Sequence, residues 1–176
     1  MTPSIYACIT TRDGCIRSDV MSCLVSAINH AQAVGLKVHA GRQQFGHGTA
    51  VCRNKAVADF LAHTDATHLL FVDDDVLLPV ESIAQLAQSL AQPDANIVCG
   101  AYPTFRFLGD KHAALYLTAR PVGGDWLADW PAGLVEVDAG GTGCMAISRA
   151  VFAAIPFPWF RWPEKHDPKA GTVEWV

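Results

Sequence analysis

His68-Leu69-Leu70-Phe71-Val72-Asp73-Asp74-Asp75-Val76 is an apolar run of strand length that ends in three adjacent carboxylates. Such a run predicts a buried strand of a parallel sheet, with the acids at its carboxyl end, where open α/β sheets place ligands. Three neighbouring carboxylates repel one another and are best tolerated beside a cation. Hard oxygen ligands suit Mg²⁺ or Mn²⁺, whose remaining ligands are typically phosphate oxygens and water. In extended backbone Asp73 and Asp75 project to one side and Asp74 to the other, so the first and third acids are expected to share a metal. The competing reading is a solvated turn that caps the next helix, although a cap needs only one acid.

Around this run, strands and helices alternate. Residues 4–10 read as a strand, and from Ser18 the positions Val20, Met21, Leu24, Val25, Ile28 and Ala31 recur at helical spacing until Gly35. A strand over 36–40, a helix over 50–63, the strand over 68–73, a helix opened by Pro79 and a strand over 96–101 follow. Alternation of this kind predicts right-handed crossovers and a mainly parallel sheet. Beyond Tyr102 the texture becomes rich in Gly, Pro and Trp. Strands are expected over 112–118, 134–138 and 143–148, then a short helix over 149–155. No segment is composed like a linker, so the chain reads as a single domain over residues 1–176.

Composition narrows the function. At 176 residues the chain is long enough for one domain with a real core. Hydrophobic residues make up 51% and charged residues 17%, as in a compact globular protein rather than a disordered one. The formal charge of -4 argues against a nucleic-acid partner, which would call for a broad basic face. Cys8, Cys15, Cys23, Cys52, Cys99 and Cys144 lie scattered, with no Cys-x-x-Cys and no zinc spacing. They read as free thiols of a reducing compartment, so a cytoplasmic location is expected. The N-terminus enters a strand directly, without the pattern of a signal peptide. No apolar stretch approaches the roughly 20 residues of a spanning helix, which leaves peripheral membrane association only.

Two segments carry a resemblance. Cys52-Arg53-Asn54-Lys55-Ala56 leading to Thr67 through Pro79, and later Val137-Asp138-Ala139-Gly140-Gly141-Thr142-Gly143-Cys144-Met145-Ala146-Ile147-Ser148-Arg149-Ala150-Val151-Phe152, resemble a family 2-like glycosyltransferase of the GT-A fold. The resemblance implies an α/β, Rossmann-like single domain, with residues 1–102 as the nucleotide-sugar half and 103–176 as the acceptor-side half. It implies transfer of a hexosyl or related group from a UDP- or GDP-sugar, with Mn²⁺ or Mg²⁺ as cofactor. Asp75 would be the main metal ligand and Asp73 would share the metal. Asp73 and Asp74 would also meet ribose or sugar hydroxyls. Thr10, Thr11 and Arg12 fall in the loop where such proteins hold base and ribose.

Arg53 and Asn54 would lie at the front of a helix aimed at the acids. Arg53 offers a fork for the diphosphate or for a neighbouring carboxylate. His47, between two glycines, is a weak candidate beside them. On the acceptor side, Gly140, Gly141 and Gly143 have two readings: backbone needing unusual φ, or a surface kept bare for a sugar. Phe157, Trp159, Phe160 and Trp162, broken up by prolines, are either a loop closing on the core or a stacking platform for sugar rings.

The chain departs from the family at its end. A Glu-Asp-type pair commonly follows the region corresponding to residues 171–176 and supplies the base that deprotonates the acceptor. Here the candidates are Glu174, Glu164, Asp167 and Asp138, none within a motif, so the domain is expected to be truncated or its site incomplete. The acceptor, whether carbohydrate, lipid-linked or protein, has no motif. Two alternatives remain: a glycosyltransferase-like nucleotide-binding module with little turnover, and behind it a nucleotidyltransferase. A response-regulator receiver is disfavoured, because its acids end the first strand rather than the third.

Overall fold

The structure is a computed structural model that describes residues 2–11, 13–46, 48–107, 113–125, 127–129, 133–161, 164–167 and 172–175. Of residues 104–107, 113–116, 164–167 and 172–175 it describes the backbone. Its central sheet is built from β1 (Ser4–Thr11), β2 (Lys37–Ala40), the two-residue β3 (Gln44–Phe45), β4 (His68–Asp73), β5 (Ile97–Cys99) and β10 (Cys144–Ser148). The strand order is β2-β1-β4-β10-β5, with β3 pairing on β1. β2, β3 and β4 run parallel to β1, whereas β10 lies antiparallel between β4 and β5. The expected α/β, Rossmann-like single domain with a mainly parallel sheet is the one observed.

Helices cover both faces because the strand period sends alternate side chains to opposite sides. Ile5, Ala7 and Ile9 of β1 and Leu70 and Val72 of β4 join one cluster with Leu24, Ala27 and Ile28 of α1 (Ser18–Ala33) and Ile83, Leu86 and Leu90 of α3 (Ser82–Leu90). Tyr6, Cys8, Leu69 and Phe71 join the other with Ala56, Val57 and Phe60 of α2 (Thr49–His63) and Phe152 of α4 (Arg149–Ala154). β4 contributes to both, so residues 69–72 form an unbroken buried run. Burying one such Leu or Phe side chain stabilises by about 1.5–3 kcal/mol.

Outside the central sheet the described residues form three two-stranded pairs: β6 (Pro103–Phe107) with β7 (Ala113–Leu117), β8 (Ala119–Pro121) with β9 (Val137–Gly140), and β11 (Glu164–Asp167) with β12 (Thr172–Trp175). The starts of α3 and β9 differ most from the sequence reading. Pro79 closes a turn, Ser82 N–H donating to its carbonyl at 3.1 Å, and α3 starts after that turn. The strand expected over 134–138 begins at Val137, where pairing with β8 starts. Among the described residues, no helix is long and apolar enough to cross a membrane.

Candidate functional site

The parallel register places Thr10 of β1 beside Asp73 of β4, both on the face covered by α2. Thr10 Oγ1 donates to Asp73 Oδ1 at 2.8 Å. From α2, one nitrogen of Arg53, Nη2, reaches both carboxylate oxygens of Asp73, at 2.8 and 3.0 Å. The pair is largely screened from solvent, with side-chain exposures of 9% for Arg53 and 26% for Asp73. Of the two partners the sequence offered for Arg53, the one observed is the neighbouring carboxylate, met by a single nitrogen rather than by the fork. Arg53 Nε is buried without a hydrogen-bond partner.

After Asp73 the strand stops. Val76 N–H donates to the Asp73 carbonyl at 3.2 Å, so the chain turns at Asp74 and Asp75. The strand alternation assumed from the sequence therefore fails at this point. A turn has no two-residue period, and all three acids line one cleft together with Thr10, Thr11, Gly48, Thr49 and Cys52. Its volume is about 370 Å³.

Gly48, Thr49 and Cys52 come from the front of α2. Gly48 flanks the helix at φ +96°, a conformation that a side chain would strain, so the turn into α2 requires glycine here. No side chain caps this end, and its first turn carries no acid. The amino end of a helix presents unpaired N–H groups and partial positive charge. The cleft thus has a positive pole on α2 and a negative one at Asp74 and Asp75. Inside it, the Cys52 thiol donates to the Thr11 and Gly46 carbonyls at 3.4 and 3.5 Å, and burial pushes its pKa up. Thr11 Oγ1 accepts from Gly14 N–H at 2.7 Å and closes the loop after β1. Arg12 and His47 lie outside the described residues.

Among the described residues, no group of three or more His, Cys, Asp or Glu is disposed to hold a metal by itself. The donor chemistry still fits a hard cation that keeps water and phosphate oxygens, for which one or two carboxylates suffice. Asp75, exposed at the cleft, and Asp74 are the residues that would hold it. Asp73, expected to share that metal, has Thr10 and Arg53 on its oxygens instead.

Other predicted site residues have different tasks. Asn54 donates to the Phe160 carbonyl at 2.9 Å and accepts from Phe160 N–H at 3.1 Å, so its amide pins the proline-rich segment to α2. One donor and one acceptor position of the amide are thereby taken up by the chain. Phe160 packs edge-on against Phe71, and Trp159 packs on Phe152 while its Nε1 donates to the Phe152 carbonyl at 3.0 Å. The aromatic segment therefore closes the core, and Trp159 is not a free stacking platform. Trp162 lies outside the described residues.

The glycines follow neither expected reading. Gly140, Gly141 and Gly143 do not adopt positive φ. Their missing side chains make room for protein instead. A Cβ on Gly141 would stand 2.6 Å from the Tyr102 hydroxyl oxygen, one on Gly143 would stand 2.7 Å from it, and one on Gly140 would collide with Cys99 Sγ. Tyr102 was not singled out by the sequence reading, since a lone Tyr after a short strand belongs to no motif.

Of the candidate bases, Asp138 is bonded to Arg120 Nε at 2.8 Å on the β8–β9 pair, and both side chains are well exposed. Glu164, Asp167 and Glu174 fall on β11 and β12, which pair with each other, and their side chains lie outside what the structure describes. Asp138 is not among the residues lining the acid cleft.

No family model matches this chain, and no curated protein does. Among solved structures, the crystal structure of A197 from STIV is similar, with a TM-score of 0.59 and 21% identity over 90% of this chain and 71% of that one. At that identity the likeness is one of fold.

Proposed function

We propose that this protein is a metal-dependent glycosyltransferase of GT-A type, which moves a hexosyl or related group from a UDP- or GDP-sugar to an acceptor. The observation that carries the reading is the cleft at the carboxyl ends of β1 and β4, where Asp74 and Asp75 face the uncapped front of α2. A diphosphate suits the helix end, where N–H groups are unpaired. A divalent cation suits the carboxylates, and the two ligands would bridge the cleft together. When bound there, Mn²⁺ or Mg²⁺ supplies charge stabilisation on the departing phosphate.

The chain's own residues do the rest. Asp73, neutralised by Arg53, is held rigidly at the floor. Its fixed carboxylate and the Thr10 hydroxyl form the wall against which a ribose or sugar hydroxyl is oriented. Thr11, Gly48 and Thr49 complete the wall for the nucleotide. The position of Asp138, paired with Arg120 outside the cleft, supports a second reading, a nucleotide-binding module with little turnover. A missing general base commonly costs on the order of 10²–10⁴ in rate.

Two measurements test these readings. Calorimetric titration with UDP and GDP, with and without Mn²⁺, should show binding that depends on the metal, and absence of any such binding would reject both. Nucleotide release from a panel of UDP- and GDP-sugars separates them, since the transferase reading requires turnover and the binding-module reading requires its near absence.

A further inference from the structure

We propose that Tyr102 is a positioning residue for the acid cleft, holding Asp73 in place through Gly143. The functional meaning of this rests on the reading of the cleft as a nucleotide site, but the linkage itself does not. Gly143 is buried, and the Tyr102 hydroxyl oxygen accepts its N–H at 3.0 Å. Its carbonyl accepts Asp73 N–H at 2.9 Å. One glycine therefore carries the phenol on one side and the backbone of the acid on the other.

The phenol is in turn fixed from behind. Tyr102 N–H donates to Thr118 Oγ1 at 3.2 Å, Thr118 N–H donates to the Tyr102 carbonyl at 2.9 Å, and Gly141 N–H donates to the Thr118 carbonyl at 2.7 Å. Chain from the end of β5, the end of β7 and the strip between β9 and β10 is thereby tied to the end of β4.

The slot has no slack. A Cβ on Gly143 would stand 2.7 Å from the phenolic oxygen and 3.0 Å from Asp73 Oδ2, so the hydroxyl and the carboxylate both border the space that glycine leaves open. Burial is the main cause that pushes the phenol's pKa up, so the group stays a neutral hydroxyl across the ordinary pH range. Removing the hydroxyl would leave the Gly143 N–H buried and unbonded right next to Asp73.

The test combines amide exchange by NMR with calorimetric titration of UDP in the presence of Mn²⁺. In Tyr102→Phe, exchange at Gly143 and Asp73 should quicken by about tenfold, and Mn²⁺-dependent UDP affinity should fall by about fivefold to tenfold. Gly143→Ala should act in the same direction by pushing on hydroxyl and carboxylate. In the Tyr102→Phe background the added methyl meets one atom fewer, so its further effect should be less than half as large. A merely structural role would lower global stability with no selective change at Asp73. Additivity, or Asp73 exchange within about twofold of wild type in Tyr102→Phe, overturns the proposal. If Tyr102→Phe does not fold, Gly143→Ala alone decides by its effect on Asp73 exchange. If the wild-type protein binds no nucleotide, the functional reading fails while the exchange measurements still judge the linkage.

Discussion

The two ends of β4 are built from the same kinds of polar residue and put to opposite use. At the amino end everything is satisfied within the chain. Thr67 exchanges hydrogen bonds with Ser4 through backbone and side chain, its hydroxyl lies 2.8 Å from His68 Nδ1, and its carbonyl accepts Arg149 N–H at 2.8 Å. The Arg149 guanidinium then bonds the Ala66, Phe60 and Thr64 carbonyls and lies 4.2 Å over the Phe60 ring. At the carboxyl end Asp73 is held by Thr10 and Arg53, all three acids line a cleft, and the helix end that lines it with them has no side-chain cap. A sheet end that closes on itself stabilises the fold, whereas one that keeps polar groups turned to a cleft can bind a ligand.

That contrast is broken most directly at Arg149. Arg149→Ala removes several hydrogen bonds to carbonyls at the end of α2 and the contact with Phe60. It should destabilise by about 3 kcal/mol in chemical denaturation, while nucleotide affinity of the folded fraction stays unchanged. Loss of binding with unchanged stability would mean that the closed end is not merely structural.

Asp75→Asn should give the reverse pattern. The side chain is exposed and pairs with no described group at close range, so stability should move by less than about 0.5 kcal/mol. Mn²⁺-dependent UDP or GDP affinity should fall by about tenfold or more, since a charged hard ligand becomes a neutral one. Titration of wild type and variant side by side, with Mn²⁺ and with chelator, is the measurement. Equal affinities would remove Asp75 from the metal site.

The same contrast explains which parts of the molecule were legible in the sequence. The closed architecture was largely readable: Ser18 and Gly35 bound α1 within a few residues, the apolar period identified α2, and the run from His68 marked β4. Each is a local signal. The antiparallel placement of β10 between β4 and β5 was not readable, because orientation is set by a chain path and not by a period. In the site, the acids announced themselves by type and position, and Thr10 entered through the resemblance. Asn54 looked equally functional, yet it serves Phe160, which lies 106 residues away in sequence. Gly141 and Gly143 looked like turns, and only the distant Tyr102 and Thr118 explain them. Roles that depend on such remote partners leave no spacing to read.

Arg53 sits between the two regimes, enclosed like the amino end but attached to the acids. Arg53→Met leaves Asp73 half enclosed without its cation, and stability should fall by about 2 kcal/mol. Arg53→Lys should recover most of that loss, because the observed contact is made by one nitrogen rather than by a bidentate fork. Denaturation curves for both variants check this. If Lys proves as damaging as Met, the guanidinium shape matters and Nε has a partner that these contacts do not include.

The smallest effect belongs to His68, at the closed end, where burial holds the imidazole pKa below its ordinary value. A histidine with a lowered folded pKa favours its neutral form in the native state, so the unfolded chain takes up the proton first as pH falls. Above about pH 6.5 both states are neutral and this group contributes nothing to pH dependence. Below it, stability should decline until the folded pKa is reached and then level off. His68→Gln should flatten that part of the acid limb below about pH 7, with the other histidines contributing equally to both proteins. Stability curves measured across that range in wild type and variant give the comparison as a difference. An unchanged slope would show that His68 is not the group penalised by closure of this end.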